Sequence, residues 1–436
     1  MSDGKIILKG EIELLSPALI GSGNDDFSDI DVLLDKDEKP FIPATSFIGV
    51  LRHYIKSEDI TENQKETFWG FTRKKEGHQS SILCSDLSCI NKFTIKIRDG
   101  IKIDNKTGIV KNKGKYDYQV IERGAKFSLN IEANYSDKKF IHRMIATICQ
   151  ELERENIRVG AKTNNGLGKI RLNKKEFYDF DFSKKEDVLR WLKRDFSTKS
   201  VISEPPFTIK SEHFTIDATF DLKSSLIIRS YSEDPGAPDA VHIRSGNDNV
   251  LTGSSIKGAI RARAERIINT LGKPSEIIEK LFGNVDDEKR STEARKGKIR
   301  VEEVILPKFI SEVNNRIKID RFTGGTIESA LFDTMPVYTD FKDRVRNVKI
   351  TINKYKPHEA GLILLVLKDL WTGDLAVGGE KNIGRGVFNG CYADISWNTH
   401  DVHIESDHKK ISNEAKKQLE DLVKALVCYE EEGDKL

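Results

Sequence analysis

The 436-residue chain lacks the features that mark several classes of protein. No apolar run reaches the roughly 18 residues that a membrane-spanning helix requires, and the N-terminus lacks the basic and then apolar pattern of a signal peptide. We therefore expect no membrane partner and a cytoplasmic location. The five cysteines are few, odd in number and scattered, which argues against a disulfide-linked fold and favours a reducing compartment.

Signatures of familiar enzymes are also missing. The chain contains no HExxH, GxxxxGK[ST], GxSxG or CxxC motif, and Cys84 and Cys89 have no accompanying Cys/His set for a zinc site. With 71 Lys and Arg against 69 Asp and Glu, the net charge is +2. This balance excludes a uniformly basic arm but permits local basic surfaces beside acidic ones.

What the chain does contain is an internal repeat. Five stretches of the first half recur in the same order in the second half, and the offset between the partners grows slowly along the chain. Five collinear matches with a slowly drifting offset indicate a duplication with small loop insertions. The matching pairs begin at Ile12 and Phe220, Ser46 and Ser255, Phe68 and Leu281, Ile101 and Ile317, and Gly160 and Gly378.

Each repeat predicts a strand, a loop, a helix, further strands, a second helix and a closing strand, which is a ferredoxin-like α+β plan. We therefore predict a first module at 1–172 and a second at 212–398. The charged segment 173–211, with Pro205-Pro206, is predicted to be a linker with a docking helix, and 399–436 a C-terminal helical tail that packs on its own domain.

The start of the first helix in the second module is a candidate anion-binding site. Residues 252–258 place small side chains and free backbone N–H groups at a helix N-terminus, with Lys257 one turn in. The helix dipole, the amides and a cation together attract phosphate. Arg261 extends this basic strip but could equally be solvated, just as Ser254 and Ser255 could form a plain N-cap.

A glycine-rich turn follows the second helix of each module. GAKTNNGLG at Gly160–Gly168 corresponds to GGEKNIGRG at Gly378–Gly386. Glycine allows a backbone to come close to a ligand, and Lys381 and Arg385 lie in the second turn. Tight loops also favour glycine, so one such turn is weak support; two at matching places are stronger.

The order of these motifs resembles the RAMP superfamily. A G-S-S-I-K-G helix start is followed by L-F-G, by I-K-I-D-x-x-T-G and by a G-G-x-x-x-x-G-x-G turn. More narrowly, the pattern is similar to the backbone subunits of type III CRISPR-Cas effector complexes, and the tandem fusion resembles the double subunits of subtype III-D. The resemblance covers both modules. It implies a modified ferredoxin-like, or RRM-like, fold in each, with β-hairpin thumbs near 97–120 and 315–336.

The resemblance also implies where guide RNA is held. The family's grip on the guide backbone corresponds to Ser254, Ser255 and Lys257, and its glycine-rich turn corresponds to Gly384, Arg385 and Gly386. The first module departs from the family, because Ile48 stands where lysine is expected. Its matching residues are Ser46, Gly166 and Gly168, with Arg52, Lys162 and Lys169 as cations that would compensate.

Active members of the family cut target RNA with an aspartate between the first strand and the first helix. The matching residues are Asp239, ahead of Ser255, and Asp29, ahead of Ser46, at nearly equal spacings; Asp31 is the alternative to Asp29. RNA supplies its own nucleophile, since a flipped nucleotide can bring its 2′-OH in line with the adjacent phosphorus. A carboxylate can then hold a divalent metal or accept the proton. Otherwise, these aspartates are ordinary residues of acidic loops.

Two leading functions remain open. One is a guide-directed endoribonuclease that cuts at Asp29 and Asp239 with Mg²⁺ or Mn²⁺ and no organic cofactor. The other is a subunit that holds guide RNA without cutting. A free guide-processing nuclease is less favoured, because such relatives depend on a histidine near the N-terminus and the first histidine here is His53. The expected partners are guide RNA (crRNA), target RNA and other CRISPR effector subunits.

Overall fold

A computed structural model describes residues 2–23, 26–73, 76–104, 107–210, 212–230, 236–284, 295–340, 343–406 and 411–430. The structure is mixed α/β and divides into two compact units. The first consists of Met1–Asp104, Val110–Thr163 and Leu167–Lys210, and the second comprises the rest of the chain. None of the helices in these ranges has the length and apolar character needed to cross a membrane.

The first unit begins with a long strand and ends with a short helix. Its elements, in chain order, are β1 (Gly4–Leu14), β2 (Phe41–Ile42), α1 (Ala44–Tyr54), α2 (Glu62–Trp69), β3 (Phe71–Arg73), β4 (Glu76–His78), β5 (Ile82–Cys84), β6 (Leu87–Ser88), β7 (Ile95–Ile103), β8 (Val110–Ile121), β9 (Lys126–Tyr135), α3 (Lys138–Glu153), β10 (Ile170–Asp181) and α4 (Lys185–Leu192).

Four of these strands form the main sheet of the first unit. The sheet is antiparallel, in the order β10-β1-β9-β5. With β1, β5, β9 and β10 taken as the first to fourth strands, the order is 4-1-3-2, as the ferredoxin-like plan requires. Alternate residues of β1, such as Leu8 and Ile12, bury one face of the sheet in a core with Phe47 of α1 and Ile145 of α3.

The segment predicted to be a linker is instead largely part of the first unit. Residues 170–181 form the edge strand β10, which pairs with β1 along its length. On the other face of the sheet, Ile7, Tyr178 and Phe180 form a second small core against which Trp191 of α4 packs. The aromatic residues of this segment remove Ile7 from water, which favours docking over an extended linker.

The second unit repeats this plan with additional short strands. Its elements are β11 (His213–Leu222), β12 (Ser225–Leu226), β13 (Arg229–Ser230), β14 (Ala240–His242), β15 (Arg244–Ser245), β16 (Asp248–Leu251), α5 (Gly253–Thr270), α6 (Glu276–Phe282), β17 (Gly283–Asn284), β18 (Arg295–Lys296), β19 (Ile299–Val301), β20 (Val304–Leu306), β21 (Ile310–Ser311), β22 (Asn314–Ile319), β23 (Thr326–Met335), β24 (Val337–Tyr338), β25 (Val345–Asn353), α7 (Pro357–Thr372), β26 (Phe388–Trp397), β27 (His400–Glu405) and α8 (Asn413–Val427).

The main sheet of the second unit has the order β19-β25-β11-β26-β27. We take β11, β19, β25 and β26 as the first to fourth strands. Read from β26 to β19, these four again have the order 4-1-3-2, and β27 is added at the edge beside β26. The predicted helical tail differs in its first part, because 400–405 form the added edge strand β27. Its second part is the helix α8, which buries Leu422 and Leu426 in the core of this unit.

His242, a buried histidine three residues after Asp239, makes the stability of the second unit depend on pH. His242 Nδ1 accepts the N–H of Ile228 at 3.2 Å, so Nε2 carries the hydrogen that the Val250 carbonyl accepts at 2.9 Å. Burial lowers the pKa of His242 to about 4. The folded state therefore favours the neutral ring, while the unfolded chain protonates near pH 6.5.

We expect the second unit to lose stability on acidification. The stabilisation is fully present above about pH 6.5 and is lost progressively as the pH falls to about 4, by up to about 3 kcal/mol. Hydrogen-exchange mass spectrometry, which follows the second unit separately, measures this loss. His242→Gln should flatten the curve between pH 4 and 6.5, whereas an unchanged pH profile in this variant would contradict the assignment.

Candidate functional site

Each unit carries a long β-hairpin in addition to its main sheet. Strands β7 and β8 pair from Ile95↔Ile121 to Ile103↔Val110, and strands β22 and β23 pair from Asn314↔Thr334 to Ile319↔Thr326. These hairpins overlap the ranges predicted for thumbs; their action as thumbs stays a prediction. Apolar side chains are exposed on both of them, and exposed apolar surface of this kind marks interaction sites. They are Ile97, Ile101, Ile103, Val110 and Tyr116 on the first, and Ile317, Ile319, Phe322, Ile327, Leu331 and Phe332 on the second.

The candidate aspartate of the first unit is hydrogen-bonded to the second strand of its hairpin. Asp29 Oδ2 accepts the N–H of Asp117 at 2.9 Å, and Asp117 Oδ1 accepts the N–H of Asp29 at 2.9 Å. Gln119 continues this contact: its N–H donates to the Ile30 carbonyl at 3.0 Å, and its Oε1 accepts the N–H of Val32 at 3.0 Å. The loop is thereby attached to β8 along several residues, with Asp29 exposed.

The second unit places its candidate aspartate in the same way. Asp239 is exposed, and its Oδ2 accepts the N–H of Asp333 in β23 at 3.0 Å. The strand that follows Asp239, β14, runs parallel to β23, with Ala240 opposite Thr334. Each candidate aspartate thus lies where its loop meets the second strand of the hairpin.

The two hairpin residues in these contacts were not among the site residues predicted from the sequence. Tyr116-Asp117 and Phe332-Asp333 are aromatic–Asp pairs at corresponding places in the two repeats. Their offset equals that between Ile101 and Ile317, in the first strands of the same hairpins. Extending the repeat comparison into the second strand would therefore have found both aspartates.

The alternative aspartate, Asp31, lies in a different environment. It is 5% exposed, and its carboxylate accepts the N–H of Phe27 at 3.0 Å and the hydroxyl of Ser28 at 2.8 Å. Through these bonds the Asp31 carboxylate holds the preceding residues, Phe27 and Ser28, in a tight local turn. Asp31 therefore shapes the loop that presents Asp29.

The helix start of the second unit is capped by a different residue from the one expected. The N-cap of α5 is Thr252, whose Oγ1 accepts the N–H of Ser255 at 3.4 Å, and not Ser254. Ser254 is exposed at the helix start. Lys257 is partly buried one turn in, and burial, together with nearby Arg261 and Lys296, lowers the pKa of its ammonium group to about 8.

A side-chain carboxylate already occupies the N-terminus of α1 in the first unit. Neither Thr45 nor Ser46 caps α1, which begins at Ala44. Instead, the carboxylate of Asp86 accepts the N–H of Ala44 at 2.8 Å. A helix N-terminus favours one negative group at this position, so Asp86 takes a place that a phosphate could otherwise use. Ser46 is exposed beside it.

The glycine-rich turns owe part of their composition to packing. Gly168 and Gly386 have positive φ angles of 75° and 70°, and a Cβ at either would collide with the backbone carbonyl of Val159 or Val377, respectively. At Gly384, whose φ is 84°, a Cβ would meet no heavy atom within 4 Å. Gly384 is exposed, but its backbone groups are already bonded: its N–H donates to the Lys381 carbonyl at 3.1 Å, and its carbonyl accepts the hydroxyl of Ser224 at 2.7 Å. Gly166 also has a positive φ, of 90°.

The family comparison agrees with this duplicated architecture. The family model of the RAMP superfamily matches residues 11–171 and 219–389, one range in each unit, and covers more than half of the chain. The chain belongs to the RAMP superfamily. This places it among CRISPR-associated, RNA-binding proteins. No curated protein matches it.

In the second RAMP module, Arg385 is held inside the protein. Its side chain is 5% exposed; Nε lies 2.9 Å from Glu380 Oε2, and Nη2 donates to Asn314 Oδ1 at 2.8 Å. Glu380 also pairs with Arg316 of β22 at 3.0 Å and with Arg229 at 2.9 Å. These contacts tie the turn to the hairpin, while its neighbour Lys381 is exposed.

Three cations of the first RAMP module were predicted to compensate for the lysine that is missing at position 48, and their surroundings differ. Lys162 lies over the rings of Tyr116 and Tyr118, 4.3 and 4.6 Å from their centroids, and Lys169 pairs with Glu155 at 2.6 Å. Arg52 is exposed and lines a groove of about 940 Å³ formed by residues of α1, α2, β3 and β4. In the second module, Arg261 pairs with Glu265 at 3.0 Å.

The oxygen donors at the two aspartates suit a hard divalent cation. Within the described ranges, no three His, Cys, Asp or Glu side chains are grouped closely enough to hold a metal ion. Mg²⁺ is commonly held by one or two carboxylates together with substrate phosphates and waters. Asp29 and Asp239 each offer one exposed carboxylate, which is compatible with this incomplete type of site, and cation binding at either stays a prediction.

Proposed function

We propose that this RAMP protein is a backbone subunit of a type III CRISPR ribonucleoprotein, which binds guide RNA and cuts complementary target RNA once per module. One observation carries the proposal: in both modules an exposed aspartate is hydrogen-bonded to the second strand of a hairpin with exposed apolar side chains. An apolar hairpin that enters a guide–target duplex can unstack a nucleotide, as apolar wedges do in other nucleic-acid complexes. The backbone beside that nucleotide then lies near the aspartate.

The proposed reaction is an in-line attack by the 2′-OH of the target RNA. A bond forms between the 2′ oxygen and phosphorus, the bond from phosphorus to the 5′ oxygen breaks, and the leaving 5′ oxygen takes a proton from solvent water. The products carry a 2′,3′-cyclic phosphate and a 5′-OH. Asp29 or Asp239 accepts the 2′ proton or binds the divalent cation. That cation, when bound, offsets charge on the phosphorane.

Guide RNA is proposed to bind mainly through its phosphates. In the second module, Lys257 and the exposed Ser254 at the start of α5 and the exposed Lys381 of the glycine-rich turn are the groups that suit this contact. In the first module, Asp86 occupies the helix start, so Arg52 is the better-placed cation. Contacts of this kind are salt-dependent and largely independent of base sequence, which base pairing reads instead.

The test is to purify the protein with its co-expressed partners, identify any bound RNA, and map cuts on a complementary RNA. Two cuts at a fixed spacing with 2′,3′-cyclic phosphate ends support the proposal. Absence of bound RNA contradicts it. Bound guide without any cut supports the alternative of a non-catalytic guide-binding subunit.

The lowered pKa of Lys257 predicts a pH dependence of RNA binding. With a pKa of about 8 in the free protein, Lys257 is mostly charged at pH 7 and mostly neutral at pH 9. A bound phosphate favours the charged form, so the affinity should fall roughly tenfold between these pH values. Fluorescence anisotropy with single-stranded RNA at constant ionic strength measures this change in affinity.

Lys257→Arg provides the matched control, because guanidinium stays charged throughout this range. We expect this variant to bind RNA almost equally at pH 7 and pH 9, and Lys257→Met to bind weakly at both. A wild-type pH profile in Lys257→Arg would assign the effect to another group.

A further inference from the structure

Asp29 and Asp117 form a closed pair of hydrogen bonds. The N–H of Asp117 donates to Asp29 Oδ2, and the N–H of Asp29 donates to Asp117 Oδ1, each at 2.9 Å. The residues are 88 positions apart in the chain, one in a loop and the other in β8. Two adjacent carboxylates would repel each other, but here each receives a backbone donor from the other residue.

This pair restrains both the backbone and the side chain of Asp29. The bond from its N–H fixes the loop at the residue itself, while the bond to its Oδ2 limits rotation of the carboxylate. No described contact uses Oδ1 of Asp29, which leaves one oxygen for a proton or a cation. A reacting group displaced by about 1 Å can lose about 100-fold in rate, so such restraint matters for a residue on a loop.

The second module has only half of this arrangement. The N–H of Asp333 donates to Asp239 Oδ2 at 3.0 Å. Among the described residues, however, Asp333 Oδ1 is buried and has no hydrogen-bond partner. The contact to Asp239 comes from the backbone, which every residue type except proline can supply.

We infer that Asp117 is a positioning residue for cleavage at Asp29, and that its carboxylate oxygen acts only as a hydrogen-bond acceptor for the Asp29 loop. The inference rests on the proposed cleavage function and extends it. It couples the hairpin of the first module to the loop that carries Asp29, because the strand that would enter the duplex also fixes the position of the Asp29 carboxylate. The cut in the second module depends on the backbone of the hairpin and less on the side chain at 333.

The experiment compares wild type with Asp117→Ala, Asp117→Asn and Asp333→Ala, each in the assembled complex with guide. A single target RNA reports both cuts under single-turnover conditions. Asp117→Ala should slow the first-module cut roughly 10- to 100-fold, with the second-module cut in the same tube as the control. Asp117→Asn should stay within about threefold of wild type, because its carboxamide oxygen still accepts the N–H. Asp333→Ala should slow its own cut less than Asp117→Ala does.

Three results would overturn the inference. If Asp117→Asn falls as far as Asp117→Ala, the charge is needed and Asp117 does not act by positioning. If Asp117→Ala cuts at the wild-type rate, the bond does not position Asp29. If Asp333→Ala loses as much as Asp117→Ala, the asymmetry between the modules is absent. Asp29→Asn tests the proposed function apart from the role of Asp117. Normal cutting by this variant refutes cleavage at Asp29, whereas loss of the first-module cut supports it and leaves only the role of Asp117 to the other variants.

Discussion

Exchange of Asp29 for asparagine should abolish one cut in the target RNA, and exchange of Asp239 should abolish the other. Asparagine keeps the shape of the side chain and an oxygen that can accept the hydrogen bond from the hairpin strand. It removes the negative charge that would accept a proton or hold a cation. We expect each rate to fall roughly 100- to 10,000-fold, as for the loss of a general base.

Because the two cuts lie on one RNA, each single variant contains its own control. Asp37→Asn supplies a second control, since it is the same exchange at an exposed position that follows the loop of Asp29. Guide binding should be unchanged in the double variant, as measured by the RNA that co-purifies with the complex. If the double variant still cuts at both positions, a neighbouring subunit performs the cleavage and the non-catalytic alternative holds.

Replacement of Glu380 by alanine should strongly destabilise the second module. Glu380 is 6% exposed and pairs with three arginines, of which Arg385 is itself 5% exposed. Loss of the carboxylate leaves the Arg385 guanidinium buried without its compensating charge. Breaking a buried ion pair in this way costs about 3–5 kcal/mol. Urea unfolding followed by hydrogen-exchange mass spectrometry gives the free energy of unfolding of this module.

A double variant separates burial of charge from loss of packing. Glu380→Ala with Arg385→Met removes both buried charges, so it should be more stable than Glu380→Ala alone. Glu420→Ala is the matched control, because its pair with Lys416 on α8 is exposed and worth at most about 1 kcal/mol. Wild-type stability in Glu380→Ala would show that Arg385 is solvated and free to meet RNA.

Much of the fold was predictable because its signals are local. The glycine-rich turns at Gly160–Gly168 and Gly378–Gly386 follow α3 and α7, so the predicted order of helix and turn in each module agrees with the structure. The resemblance to the RAMP superfamily implied hairpins near 97–120 and 315–336, where the structure has the β7–β8 and β22–β23 pairs. The repeat showed the nearly equal spacing of Asp29 and Asp239 from their helices. The linker prediction differed from the structure because residues 173–181 belong to the edge strand β10, whose pairing with β1 joins residues that are far apart in the chain.

The sequence by itself determined that the molecule is doubled, since the repeat is written in short motifs along the chain. Its resemblance to the RAMP superfamily implied where the hairpins lie and which two aspartates are the catalytic candidates. Only the tertiary structure decided that Asp117 faces Asp29, that Asp86 caps α1, and that Arg385 is buried by Glu380. Asp117 and Asp86 reach partners that are distant in the chain, and Arg385 is buried only because the turn packs on the hairpin. Contacts of this kind are set by strand pairing and packing, and the local periodicity of the sequence does not indicate them.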